Sequence, residues 1–223
     1  VALATVIAQM VSAVLCFFKL KRMTDVFDLK FKYLKPDMEN IMTILRLGLP
    51  SGITQAIFSM AMVVVQSLTN SFGEMVIAAN VIIMRVDGFA MMPNFSFGTA
   101  MTTYSGQNVG AREFDRVHKG AKQGTIIAAG TSAAITGLIL IFGKYLMGIF
   151  TNTSELVTLS ANMMKILAVG YIAMAVTQSL SGVMRGAGDT MTPMWISIVT
   201  TVFIRVPLAY GIAHFTKTPE LPG

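Results

Sequence analysis

The chain is built from long apolar runs separated by short polar stretches. Six runs occupy residues 1–18, 47–72, 75–104, 125–142, 156–184 and 191–214, and a short amphipathic piece at 144–150 trails the fourth. A helix needs roughly 20 apolar residues to cross a bilayer. Runs of this length, without strand-like alternation, predict an all-α fold: a polytopic transmembrane helix bundle of about six spans. Pro50 falls in the first turns of the second run, where a missing N–H is tolerated. The third run is interrupted by Arg85, Asp87 and Pro93.

The polar connections differ in charge. The segment 19–40 carries Lys19, Lys21, Arg22, Lys30, Lys32 and Lys35, and the turn at 70–74 carries no cation. The stretch GQNVGAREFDRVHKGAK (106–122) holds Arg112, Arg116, Lys119 and Lys122; residues 151–155 hold none, and 184–190 hold Arg185. Only Lys217 lies in the tail. Basic and cation-poor connections alternate, so the three basic ones are expected to be cytoplasmic. The 106–122 stretch then reads as an inside connection, either a solvated orienting loop or, from the helical spacing of its carboxylates and cations, a short surface helix beside anionic lipid headgroups.

Composition narrows the function. The 223 residues are 54% apolar and 13% charged, an excess of apolar surface that calls for lipid. The net charge of +6 is spent in loops beside spans, so no nucleic-acid partner is expected. Cys16 is the one cysteine, and His118 and His214 lie far apart in the sequence. No metal-ligand set, phosphate loop or dinucleotide motif is present, so neither an enzyme nor a metal or organic cofactor is expected. The chain opens inside an apolar run without a Met, and is expected to be an interior piece of a longer protein of the cell membrane, multi-pass.

Polar residues inside spans are the strongest functional signal, because hydrocarbon penalises them. Gln55, Ser59, Gln66 and Asn70 share one face of the second span; Asn80, Asp87 and Asn94 recur every seven residues in the third, with Met84, Met91 and Gly98 beside them. Tyr171, Met174, Gln178 and Gly182 share a face of the fifth. Such groups either hydrogen-bond packed helices together or line a water-filled cavity. Three stripes at once favour a central cavity, with Gln55, Ser59, Gln66, Asn80, Asn94 and Gln178 as its substrate-facing residues. Asp87 is the carboxylate well inside a run, and Arg205 in the last run is its expected cross-helix partner. That pair reads equally as an ion-coupling site or as a static lock between helices. A scaffold that transports nothing would need no such stripes.

Several motifs, taken in order, resemble the second half of the MATE (multidrug and toxic compound extrusion) transporters: LGLPSGITQAIFS, RVDGFAMMP, GQNVGA, IFTNTSE, SLSGVMRGAGDTMTPMW and IRVPLAYGI. The opening ALATVIAQMVSAVL resembles the span that ends that family's first half. The resemblance implies the sixth to eleventh of twelve helices. Residues 1–18 would be the last N-lobe helix, 19–40 the cytoplasmic inter-lobe linker and 41–223 the C-lobe without its last helix. It also implies antiport: small organic cations or amphipathic drugs leave while Na⁺ or H⁺ enters, the missing N-lobe and membrane lipids being the other partners. In one branch of the family carboxylates bind the cation at positions that correspond here to Phe58 and Met174, neither of which can do so, and coupling would then rest first on the missing N-lobe and otherwise on Asp87. A lipid-linked oligosaccharide flippase of the same superfamily is the alternative. It would need several cavity cations, whereas Arg85 and Arg205 alone are expected inside spans.

Overall fold

Each apolar run becomes a helix longer than itself. The computed structural model describes residues 2–22 and 36–216. Lys30, Lys32 and Lys35 of the expected linker, and Lys217, lie outside the described residues. The helices are α1 (Ala2–Arg22), α2 (Met38–Asn70), α3 (Glu74–Gly110), α4 (Phe114–Gly148), α5 (Ser154–Gly186), α6 (Met191–Ile198) and α7 (Val206–Thr216); a π-helical segment, Val199–Arg205, joins the last two. Six spans emerge among the described residues, because α6, the π segment and α7 form one continuous run of membrane length. Among the described residues there is no strand.

The chain divides into two compact units between Leu45 and Arg46, inside α2. The first holds α1 and the start of α2. Asp37 caps the latter, accepting the Glu39 amide at 3.1 Å and the Asn40 side-chain amide at 2.7 Å. The second unit is organised around α3, α4 and α5.

Two kinds of packing hold these three helices. Towards the 71–73 turn, Ile82, Ile83, Val86 and Ala90 of α3 interlock with Ile139 and Met147 of α4 and with Ala161, Met164, Ala168 and Tyr171 of α5. Towards the 111–113 turn, backbones replace side chains. A Cβ on Gly182 would overlap the carbonyl oxygen of Gly98, and one on Gly186 would meet the Thr102 carbonyl and the Ser105 side chain. Gly182 and Gly186 are spaced as in the small-residue motifs that let membrane helices approach closely. Glycine serves α4 as well: Tyr104 lies where a Gly120 side chain would be, and Met101 where a Gly124 side chain would be. The Tyr104 hydroxyl also donates to the Arg116 carbonyl at 3.0 Å.

The basic stretch at 106–122 is thus helical on both sides of a tight turn, formed by the end of α3 and the start of α4 and not by a separate short helix. α3 ends in a Schellman cap: the Glu113 amide bonds the Asn108 carbonyl at 2.8 Å, and the Arg112 amide bonds that of Val109 at 3.0 Å. Arg112 sits at φ 60°, in the left-handed position that glycine usually fills. α5 ends in the same motif with Gly188 at φ 90°. Just beyond, the Asp189 carboxyl is held below the usual carboxylate range by hydrogen bonds from Thr192, whose amide lies 3.0 Å away.

Two stability changes follow. Arg112→Gly removes the left-handed penalty and is expected to stabilise the protein by about 1 kcal/mol. Gly182→Val is expected to cost about 1–3 kcal/mol by prising α3 from α5. Thermal unfolding in detergent reads both, with Gly170→Ala as control because no atom lies near a side chain there. Equal unfolding of Gly182→Val and the control would contradict the close seam.

Candidate functional site

Between the aliphatic layer and the glycine seam lies a polar junction made by α3 and α5. The Tyr171 hydroxyl donates to Asp87 Oδ1 at 2.6 Å and also approaches Met164 Sδ at 3.5 Å. Two helical turns further along α3, Asn94 Nδ2 donates to the Tyr171 backbone carbonyl at 3.3 Å. One tyrosine therefore ties both ends of the Asp87–Asn94 stripe to α5. Tyr171 is 4% exposed and Asn94 1%, while Asp87 is half-buried and reachable from one side. Among the described residues, Asn94 Oδ1 and the Ser105 hydroxyl have no hydrogen-bond partner although both are buried.

A second polar cluster joins α2 to α3 near the 71–73 turn. Asn80 Nδ2 donates to Gln66 Oε1 at 3.1 Å, and Gln66 Nε2 donates to Asn70 Oδ1 at 2.9 Å. Among the described residues these amides spend their hydrogen bonds on one another and on Met84 Sδ, 3.7 Å from Asn80.

The third feature is Arg205, at the end of the π segment. Its guanidinium lies 5.8 Å above the centre of the Phe58 ring, and Nη2 is 3.6 Å from Met62 Sδ. Phe58 and Met62 flank Gln55 and Ser59 on one face of α2, and Gln55 and Ser59 are both exposed.

Within the described residues the geometry separates several of the expected site residues. Among the described residues Asp87 and Arg205 do not meet: Asp87 is engaged by Tyr171, and Arg205 lies over α2 against an aromatic face and a thioether. Asn94 does not line an open cavity, because the close α3–α5 approach buries it. Gln178 lies in the same seam, with its backbone carbonyl and Cβ against Gly98. Gln66 and Asn80 meet each other, and Gln55 and Ser59 stay apart from them on an exposed face. The three stripes therefore do not converge on a single cavity within this chain. An open groove on α3, past Gly88, Met92, Phe95, Ser96, Thr99 and Ala100, contains none of the expected residues. Lys165 is a further cation within a span, exposed on α5, beside the expected Arg85 and Arg205. Tyr171 was visible as the aromatic member of the fifth-span stripe, but nothing in the sequence linked it to Asp87. Among the described residues no group of His, Cys, Asp or Glu could hold a metal ion.

Six membrane-length helices with a carboxylate and an arginine set among them make this a multi-pass membrane protein. Comparison with known proteins is consistent. The MatE family model matches residues 50–211. The chain is 30% identical over 186 residues to the probable multidrug resistance protein YoeA of Bacillus subtilis (strain 168), covering 83% of this chain and 40% of that protein. It is 27% identical over 215 residues to the probable multidrug resistance protein NorM of Thermotoga maritima, covering 96% and 46%. A solved outward-facing structure of a multidrug resistance MATE family transporter of the MOP superfamily matches with a TM-score of 0.87 at 23% identity, over 96% of this chain and 48% of that one. The chain spans less than half the length of these relatives. It belongs to the MatE family.

The junction predicts a measurable coupling. Tyr171→Phe is expected to destabilise by about 1.5–3 kcal/mol, the range for a hydrogen bond to a charged group. A double-mutant cycle with Asp87→Asn should show strong non-additivity in unfolding, whereas Arg205→Gln with Asp87→Asn should be additive within about 0.5 kcal/mol. Coupling of Asp87 to Arg205 instead would restore the charge pair.

Proposed function

We propose that this chain forms part of a cation-coupled antiporter that uses Na⁺ or H⁺ to export cationic or amphipathic compounds by alternating access. The observation that carries the reading is Asp87. It is a carboxylate set well inside α3, with Oδ1 fixed by Tyr171 and, among the described residues, no partner at Oδ2. A carboxylate at membrane depth is costly and is a functional site by default. Binding Na⁺ or H⁺ there neutralises the charge, and that changes the cost of each orientation of the helices around it. Membership of the MatE family and relatives named as multidrug resistance proteins support export as the direction. Phe58 and Met174 supply no carboxylate, which leaves Asp87 as this chain's contribution to coupling.

Alternating access would act on the packed α3–α5 unit as a rigid body, since its seam leaves no room for sliding. The test is transport by the full-length protein in proteoliposomes, following a fluorescent organic cation under an imposed Na⁺ or H⁺ gradient. Wild type should move the dye against its gradient, and Asp87→Asn should lose gradient dependence while remaining folded. Dye movement that needs no gradient in wild type would sink the antiport reading. Full coupling in Asp87→Asn would remove Asp87 from it.

A further inference from the structure

Arg205 has no role in the coupling just described, and its surroundings are unusual for a cation inside a span. Its contacts among the described residues are the Phe58 ring and Met62 Sδ, with no carboxylate among them. Neither contact neutralises a charge, and an arginine within a span is costly until something does. The side chain is exposed in this chain and leaves from the end of a π-helical segment. Such segments are often found at functional sites. Pro207 follows two residues later, so the backbone that carries Arg205 departs from a regular α-helix for a sequence-encoded reason.

What lies beside the guanidinium defines the ligand. Gln55 and Ser59 are exposed on the α2 face over which Arg205 reaches. Among the described residues neither side chain is engaged in a hydrogen bond, so both can donate. Phe58 and Met62 give the same face a π surface and a polarizable, adaptable one. A fork-shaped cation flanked by two neutral donors matches a carboxylate geometrically. The adjoining aromatic and thioether surface suits the flat apolar body to which that carboxylate is attached.

We propose that Arg205, with Gln55, Ser59, Phe58 and Met62, forms a subsite for the carboxylate of an amphipathic substrate. Arg205 thereby sets a preference for aromatic zwitterions over the corresponding pure cations. Phe58 holds the guanidinium in place while the site is empty, and the substrate's ring competes for the same cation. The inference rests on the transport reading for its physiological meaning, but the subsite itself is testable without transport.

The probes are tetramethylrhodamine, which carries a free carboxylate, and its methyl ester, a cation of the same shape. Binding of each to the purified full-length protein is followed by fluorescence polarisation, alongside gradient-driven uptake in proteoliposomes. Wild type should bind the free acid more tightly than the ester. Arg205→Gln should weaken the acid by roughly tenfold or more while changing the ester by less than about twofold. Arg205→Lys, which keeps the charge without the fork, should recover part of the loss. Equal losses for both dyes would show that Arg205 serves structure or neutralises a carboxylate of the protein, and would overturn the proposal. So would unchanged binding of both. Selective binding by Arg205 with no gradient-driven uptake of either dye would uphold the subsite and refute antiport, so the two failures are distinguishable.

Discussion

Everything in the larger unit depends on how closely α3 and α5 approach each other. The hydrophobic effect does little to bring helices together in lipid, so packing and interhelical hydrogen bonds must do it. Here the approach is set by glycine: Gly182 lies against the Gly98 carbonyl, and Gly186 against Thr102 and Ser105. Contact at this end fixes the spacing at the next level, where the Tyr171 carbonyl comes within reach of Asn94 and its hydroxyl within reach of Asp87. The aliphatic layer beyond completes the same interface with branched and small side chains. A carboxylate can be tolerated in the middle because the layers on either side determine where its partner stands.

The sequence made the helices legible for a plain reason. Hydrocarbon imposes a length and a composition, and both are visible in one dimension. The ends were less so: α3 runs on to Gly110 and α4 begins at Phe114, so a stretch that reads as a loop or one short surface helix belongs to two long helices. Charge told which residues avoid lipid, but not that they continue a helix beyond it. The turn itself was hidden because Arg112 occupies the left-handed position where a glycine would have announced the cap.

The site was legible only as an inventory. The seven-residue spacing of Asn80, Asp87 and Asn94 correctly placed them on one face of α3, yet a face does not reveal which neighbour covers each level. Asn80 meets α2, whereas Asp87 and Asn94 meet α5. The pairing of Asp87 with Arg205 rested on opposite charge alone. Charge is a poor guide when the hydroxyl of a tyrosine on the adjacent helix is closer, and when the arginine is carried round to α2 by a π-helical turn that no periodicity signals.

That division of partners separates two tasks within one small structure. Asp87 is anchored to the most tightly packed pair of helices, so a charge change there is felt by a body that moves as a whole. Arg205 lies between α2 and the last span, which make few contacts with that body, and Arg205, Gln55 and Ser59 are exposed there. A coupling group benefits from rigidity, because binding energy is then transmitted and not dissipated in local adjustment. A substrate-facing group benefits from give, since ligands of several shapes must be received on the same Phe, Met and Arg surface. Had Asp87 and Arg205 neutralised one another, as their charges invited, each would have been unavailable for its own task. Keeping them apart leaves Arg205 without a carboxylate among the described residues, and a ligand's carboxylate can fill that place.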